Sequence, residues 1–277
     1  MTRLRTWLAP LVLGGLGGSA MARLLAASPA HLDLENEARC ADMPSHAALS
    51  AAIKAAVDGG GNGGLANDVW AVLVNRDGVV CQVSFSGVHR GAQWPGGRVY
   101  AAEKASTAVA FSLPRGSGGI DGLALSTANL YASAQPGGVF FGLESARADD
   151  ALVGRAATHG SPEDPLVGKT VGGRATVGGG LTLYDASGAL VGALGISGDT
   201  SCTDHILAWK VRSAFNLDNV PAGMSATGDD NIVYDVEPEG TKGATVSQSG
   251  FGHPRCDAAA SRVAEELPST HPIGPAP

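Results

Sequence analysis

The pattern of hydrophobic and polar positions predicts two β-hairpins of the same plan. Residues 69–85 place apolar strands on either side of the turn Asn75-Arg76-Asp77-Gly78, and residues 181–196 do the same around Asp185-Ala186-Ser187-Gly188. The strands have the period of half-buried β-structure, each turn contains Asp and ends in Gly, and a Ser-Gly pair follows each hairpin. We expect the two hairpins to pair edge to edge in one antiparallel sheet, with helices covering a face.

A second pattern, with apolar residues three and four positions apart, predicts four amphipathic helices. The first ends at a Gly-rich run that follows a helix and lacks a Lys-Ser/Thr ending, so we interpret this run as a connector and not as a phosphate-binding loop. The predicted helices span residues 44–57, residues 99–112, residues from Ser126 or Thr127 to Ala134, and residues from a cap at Thr203 or Asp204 to Phe215.

The last of these helices has two faces. One face is a stripe predicted to be buried, formed by Leu207, Val211, Ala214 and Phe215. The other face carries three side chains that can act on a ligand, which are those of His205, Trp209 and Arg212. We expect this second face to be available to a ligand, and the alternatives are that it lies in solvent or in a contact between subunits.

The helix predicted for residues 99–112 carries a cation, Lys104, on a side that is otherwise small and apolar. The ordinary interpretation is a surface lysine whose aliphatic stem covers apolar neighbours while its ammonium group reaches water. On this pattern alone we expect Lys104 to lie at the surface.

Residues 1–27 have the features of a signal peptide. Arg3 and Arg5 precede an apolar run over residues 7–20 that is shorter than a membrane span, and Ala20-Met21-Ala22 is a small-x-small cleavage site. A retained membrane anchor is the alternative, which the four glycines of the run disfavour. We therefore expect a periplasmic or secreted protein that has no membrane span after cleavage.

Four cysteines in an exported chain indicate two disulfides. Spacing alone leaves open the three pairings of Cys40, Cys81, Cys202 and Cys256. A metal site is the weaker alternative, because the cysteines are far apart and none belongs to a C-x-x-C pair.

Composition narrows the function. With 277 residues and 44% hydrophobic content the chain is long enough for a substantial core, and its 40 glycines predict tight turns and close backbone packing. A formal charge of -7 and only 5% aromatic residues argue against nucleic-acid binding.

Residues 218–277 are polar apart from a strand near 232–236 and a short helix over 258–267, so we expect an irregular C-terminal extension packed on the domain.

The sequence contains no nucleophile elbow, no H-E-x-x-H pair and no phosphate loop, so a binding role is favoured over catalysis. The face with His205, Trp209 and Arg212 offers a donor nitrogen, a flat apolar surface and a cation. His253, three residues before Cys256, is a second candidate donor, and a structural loop histidine is the ordinary alternative.

Several segments occur in a distinctive order. They are the first hairpin with NRDG, then WPGGRVYAAEKASTAVAFS, STANLYASAQPGG followed by FGLES, VGGGLTLYDASGALVGALGISGDTSCTDHILAW, and GFGHPRC near the end. In this order, from about Ala47 to Phe215, they resemble the haem-binding HbpS-like and GlcG-like family, also called the haem-degrading domain, in its exported long form. No segment is specific alone, whereas the order is.

The resemblance implies an α/β (α+β) fold class. The expected domain covers residues 40–217 and is profilin-like, with an antiparallel five-stranded sheet built from the two hairpins and flanking helices, and members assemble into homo-oligomers. Two motif positions, Lys104 and Thr107, carry over as candidate ligand-binding residues. No axial haem ligand carries over, because the family's members do not share one. Haem binding needs an axial donor, an apolar slot and cations for the propionates, and the face with His205, Trp209 and Arg212 offers one of each. We expect no metal beyond a haem iron.

The implied topology also bears on the cysteines. It places Cys40 beside Cys81 and leaves Cys202 for Cys256 in the extension. The second bond would hold the extension over the start of the last helix, and on the chain-entropy model it would stabilise the fold by roughly 3 to 4 kcal/mol.

Members of the family are associated with haem, with corrinoids and with glycolate and alcohol oxidation. The resemblance therefore implies an exported, non-catalytic protein that binds haem or a similar tetrapyrrole. One alternative is an accessory or scaffold subunit of a periplasmic redox system. Another is an enzyme acting on haem or a small organic acid, for which no acid/base pair can be identified.

Overall fold

The centre of the fold is an antiparallel sheet of four strands in the order β2-β1-β4-β3. The computed structural model describes residues 40–117, 121–143, 156–239 and 244–274. Within these ranges the strands are β1 (Trp70–Asn75), β2 (Val80–Phe85), β3 (Gly180–Tyr184) and β4 (Leu190–Ser197). The signal peptide expected over residues 1–27 lies outside the described residues.

The two hairpins form as predicted and join through β1 and β4, which pair from Trp70 with Ser197 to Asn75 with Gly192. Each turn is closed by a side chain that accepts hydrogen bonds from backbone amides. Asn75 Oδ1 accepts from Asp77 and Val79 in the first turn, and Asp185 Oδ1 has the same role in the second. This is the Asx-turn chemistry that makes such residues favourable there.

The sheet differs from the expectation of five strands, because the described residues contribute four. Among the residues that the structure describes, each edge of the sheet carries only an isolated bridge, between Val79 and Thr170 on one side and between Tyr184 and Asp218 on the other. The segment beside β2 contains Pro165 and Gly168, and residues of these types interrupt a continuous ladder. A second sheet of two strands, β5 (Val236–Glu239) and β6 (Ala244–Ser247), lies in the C-terminal extension. The mixed class with an antiparallel sheet is confirmed.

The sheet has a hydrophobic core on each face, because successive side chains of a strand point to opposite sides. In β1, Ala71 and Leu73 belong to one core, and Trp70, Val72 and Val74 belong to the other. The first core is covered by α1 (His46–Asp58), α4 (Ser201–Ala214) and α5 (Ala258–Thr270), and the second by α2 (Gly97–Ala110).

Helix α2 lies unusually close to the strands. A Cβ added at Gly195 would overlap the carbonyl oxygen of Ala101, and one at Gly180 would lie 2.5 Å from the carbonyl oxygen of Lys104. Glycine is therefore required where the helix backbone crosses β3 and β4. This close approach is the backbone packing that the glycine content predicts.

Several helix boundaries differ from the sequence prediction. Helix α4 begins at Ser201 and not after Thr203 or Asp204, because Thr200 is the N-cap and its hydroxyl accepts the Thr203 amide at 3.3 Å. Helix α2 begins at Gly97, two residues before the predicted start. The predicted short helix is a 3-10 turn, Thr127–Leu130, that continues into α3 (Tyr131–Ala134).

Two disulfides join Cys40 to Cys81 and Cys202 to Cys256. This is the pairing that the resemblance implied. The second bond links the start of α4 to the C-terminal extension, whose helix α5 buries Ala260, Ala264 and Leu267 in the first core. In the described part of the chain, no helix is both long and apolar enough to span a membrane.

Candidate functional site

A cleft of about 590 Å³ lies between the start of α2 and the turn that joins β4 to α4. Its walls are mainly apolar, as is usual for ligand sites. The apolar and aromatic side chains come from loops and from the first turn of α2, and the charged ones come from α2, from the turn between β4 and α4, and from α4. Among the side chains that line the cleft are those of Leu65, Trp94, Tyr100, Lys104, Asp199 and Asp204.

The most deeply buried charged groups of the cleft are Lys104 and Asp204, which we call the floor pair. Lys104 Nζ lies 2.7 Å from Asp204 Oδ2 and 2.9 Å from the carbonyl oxygen of Ile196, and the Lys104 side chain is 1% exposed. The expectation of a surface lysine is therefore wrong. The ammonium group points into the protein because Asp204 is its ion-pair partner there. Gly179 leaves room for the ammonium group, since a Cβ at that position would lie 2.9 Å from Nζ.

Asp204 is held by contacts on both of its oxygens. Oδ1 accepts the backbone N–H of Asp199 at 3.0 Å, and Oδ2 accepts from Lys104. Burial raises the pKa of Asp204 to about 6, although the ammonium group of Lys104 acts in the opposite direction. The carboxyl group of Asp204 is thus buried and paired with Lys104, and it is not a solvated surface acid.

Asp199 shapes the wall opposite α2. Its two carboxylate oxygens accept the backbone amides of Leu65 at 2.9 Å and Asn67 at 2.8 Å, which fixes the loop before β1 against the start of α4. The mouth of the cleft is flanked by two exposed apolar side chains, those of Leu65 and of Trp94, which is 65% exposed. The backbone of Trp94 is anchored, because its carbonyl oxygen accepts the indole N–H of Trp70 at 2.8 Å.

The face predicted to be open, formed by His205, Trp209 and Arg212, is buried, so that prediction is wrong. The C-terminal extension covers it. Arg212 donates to both carboxylate oxygens of Asp230, at 2.7 and 2.8 Å, and the indole N–H of Trp209 donates to the carbonyl oxygen of His271 at 2.8 Å. Helical spacing shows which residues share a face, but it does not show what covers that face.

His205 lies sealed beneath the extension, and neither of its ring nitrogens makes a hydrogen bond to a described residue. The side-chain amide of Asn231 is nearby, and it donates to the carbonyl of Ala264 at 2.7 Å and accepts the amide of Ile232 at 2.8 Å. Burial lowers the pKa of His205 to about 3 and that of His253 to about 4. Neither imidazole lines the cleft.

Thr107 also lies away from the cleft. Its hydroxyl donates to the carbonyl of Glu103 at 2.7 Å and accepts the amide of Ala175 at 3.0 Å. It therefore ties α2 to the segment that leads into β3. Of the residues suggested by the sequence, Lys104 alone lines the cleft.

Sequence reasoning missed Trp94, Tyr100 and Asp199. The segment Trp94-Pro95-Gly96-Gly97 did predict a helix start, and an exposed Trp there was a usable signal for a binding surface. Asp199 follows the Ser-Gly pair at the end of the second hairpin. That pair predicts a turn, but it gives no indication that Asp199 lines a ligand-binding cleft.

The cleft fits the ring system of a tetrapyrrole better than it fits haem propionates. It offers apolar side chains and the Tyr100 phenol, a residue type that ligates haem iron in some proteins. The described lining residues include no His, Cys or Met. They carry two carboxylates, those of Asp199 and Asp204, against the single ammonium group of Lys104, so propionates are disfavoured inside.

No model of a protein family matches the chain, and the comparison with curated proteins gives no match. Solved structures give weak likenesses. A PduOC:heme complex is 23% identical with a TM-score of 0.39, over 60% of this chain and 88% of that one. The Klebsiella pneumoniae protein ORFY is 19% identical with a TM-score of 0.39, over 62% and 90%.

HbpS, a member of the family that the sequence resembles, is 20% identical with a TM-score of 0.33, over 62% of this chain and 89% of that one. Because all three TM-scores lie below 0.5, we rest no functional conclusion on these likenesses.

Proposed function

We propose that this protein binds haem or a similar tetrapyrrole, without catalysing a reaction, in the cleft above the floor pair. The observation that carries the proposal is an apolar cleft of about 590 Å³ with an exposed indole at its mouth. Its size lies within the usual range of small-molecule and cofactor sites. A ring system that stacks on Trp94 would gain both apolar burial and aromatic contact.

The roles of the individual residues follow from their positions. Trp94 and Leu65 would cover the two sides of the ring at the mouth, and the Tyr100 phenol would be the donor toward a central iron. Bound haem would supply iron-centred ligand or electron chemistry. The floor pair would keep the bottom of the cleft in shape. The net negative charge of the cleft would repel the haem propionates, so they would point toward solvent.

We further propose that the protein is exported. The two disulfides support this, because such bonds persist in oxidising compartments.

A titration with hemin tests the proposed function. The wild-type protein should shift the Soret band, Trp94→Ala should weaken binding about tenfold or more, and Tyr100→Phe should alter the band of the complex. His205→Gln is the matched control, because that ring is sealed away from the cleft and its loss should leave the affinity unchanged. A wild-type protein that leaves the Soret band unshifted would refute the proposal.

A second candidate function, as a subunit of a larger assembly, is favoured by a different surface. Val139, which is 87% exposed, lines a shallow groove together with Val246, and Phe141 is 65% exposed. Exposed apolar residues that form a contiguous patch are a feature of association surfaces. We propose association through this surface, either as a homo-oligomer or as an accessory subunit of a periplasmic redox system.

Light scattering should show an oligomer that Val139→Asp dissociates, and a monomeric wild type would favour an accessory role with another protein.

A further inference from the structure

Three possible metal ligands meet where the C-terminal extension contacts the start of α4. Cys202, His253 and Cys256 each offer one ligand atom, and these atoms lie within 4.8 Å of one another. The two cysteines are joined as a disulfide. Since the thiolate is the form of cysteine that binds metals, the group has one available ligand in this state and three after reduction.

His253 has one ring nitrogen available for a metal. Its Nδ1 lies 2.7 Å from the carbonyl oxygen of Pro254, which can only accept, so Nδ1 carries the proton and Nε2 carries the lone pair. Nε2 is buried and has no hydrogen-bond partner among the described residues, and the His253 side chain is 1% exposed. A ring nitrogen that donates to a carbonyl while the other faces inward is the usual second-shell arrangement of metal-binding histidines.

The backbone around the group is also fixed. The His253 amide donates to the carbonyl of Val233 at 2.8 Å. The Cys202 amide, in the first turn of α4, points at Cys256 Sγ from 3.2 Å, and the Ser201 hydroxyl lies 3.5 Å from the same sulfur. Amides and the positive end of a helix favour the thiolate, so Cys256 is the better leaving group when the disulfide is attacked.

We propose that reduction of the Cys202–Cys256 disulfide creates a Zn2+ site made of these two thiolates and His253 Nε2. A dithiol reductant supplies two electrons and two protons and becomes a disulfide, while Cys202 and Cys256 become thiols. Zn2+ binding then releases the two thiol protons. Two sulfurs at the usual Zn–S distance of about 2.3 Å lie roughly 3.8 Å apart, which is within the 4.8 Å span of the group.

The choice of zinc follows from the ligand set. Two thiolates and one imidazole are soft and borderline donors that suit Zn2+, and the fourth position would be filled by water. The metal would join the same two segments as the disulfide does. The C-terminal extension would therefore stay held on α4 under reducing conditions, and the site would act as a redox-dependent structural site that is separate from the cleft.

The test uses the full chain, reduced with a dithiol without oxygen, freed of reductant and dialysed against Zn2+. One equivalent of zinc should remain per reduced chain and none per oxidised chain, and Co2+ in place of zinc should give thiolate-to-metal charge-transfer absorption. The Cys40→Ser, Cys81→Ser double variant should keep the site. His253→Gln should lower the affinity for zinc at least about tenfold, whereas His205→Gln, which alters the other sealed imidazole, should not change it.

Several results would overturn the proposal. Reduced wild type without bound zinc would do so, as would equal zinc binding by His253→Gln or by the Cys202→Ser, Cys256→Ser double variant. If the reduced chain unfolds, Zn2+ should restore its far-ultraviolet circular dichroism, and failure to restore it would count equally against the site.

Discussion

At the level of single residues, the floor pair is a buried ion pair whose loss should be costly. Lys104→Met removes the partner of a carboxyl group that is almost completely buried. We expect a loss of about 3 to 5 kcal/mol in the free energy of unfolding, because one buried charge is left uncompensated. Urea unfolding at pH 7 measures it.

The matched control is Arg255→Ala, which removes an ion pair with Glu265 whose two side chains are about half exposed. Exposed pairs contribute little, so this change should cost under about 1 kcal/mol. Equal small losses in the two variants would show that the floor pair is solvated.

The buried imidazole of His205 should make the stability of the protein depend on pH. Its pKa is about 3 in the fold, against 6.5 as the reference value. Between these values the unfolded chain binds more protons than the folded one, so stability is present above pH 6.5 and is lost as the pH falls, by up to about 1.4 kcal/mol per unit. The raised pKa of Asp204 acts in the opposite sense, between about 4 and 6.

Because of this offset, the test compares variants and not absolute slopes. His205→Gln should flatten the decline in unfolding free energy between pH 7 and pH 5 relative to wild type. The same slope in both proteins would mean that this imidazole is accessible to protons in the folded state.

At the level of secondary-structure elements, the contact of α2 with the sheet depends on glycine. Gly195→Ala places a methyl group against the carbonyl oxygen of Ala101, and since both partners are backbone we expect a loss of about 1 to 3 kcal/mol. Gly96→Ala is the matched control at the start of α2, where an added Cβ meets nothing within 4 Å. Thermal unfolding of the two variants should separate them, and similar melting temperatures would show that α2 can move off the strands.

The elements also show how far the sequence could predict the structure. Both hairpins followed from local turn chemistry, and the C-terminal helix from its spacing. The cap of α4 was misplaced because Thr200, Thr203 and Asp204 are all good capping residues, and only the partner on α2 decides that Asp204 turns inward. The face of His205 was misassigned for a related reason, since the residues that cover it are distant in sequence: Asp230 is 18 positions from Arg212, and His271 is 62 positions from Trp209.

At the level of the whole molecule, the C-terminal extension is part of the domain core. Removing everything after Asn216 deletes Asp230, the partner of the fully buried Arg212, and uncovers Trp209. We expect this truncated chain to lose cooperative unfolding and to be digested rapidly by trypsin, because a buried guanidinium group would have no counter-charge. A protease-resistant fragment with cooperative unfolding would show that residues 40–216 fold alone.

The central claim is that the ligand site is the cleft beside Trp94 and not the interior around His205. The most direct measurement is a crystal structure of the protein grown with hemin. We expect porphyrin density between Leu65, Trp94 and Tyr100, with the extension still closed over α4. Iron bound to His205 or His253, with the extension displaced, would contradict it.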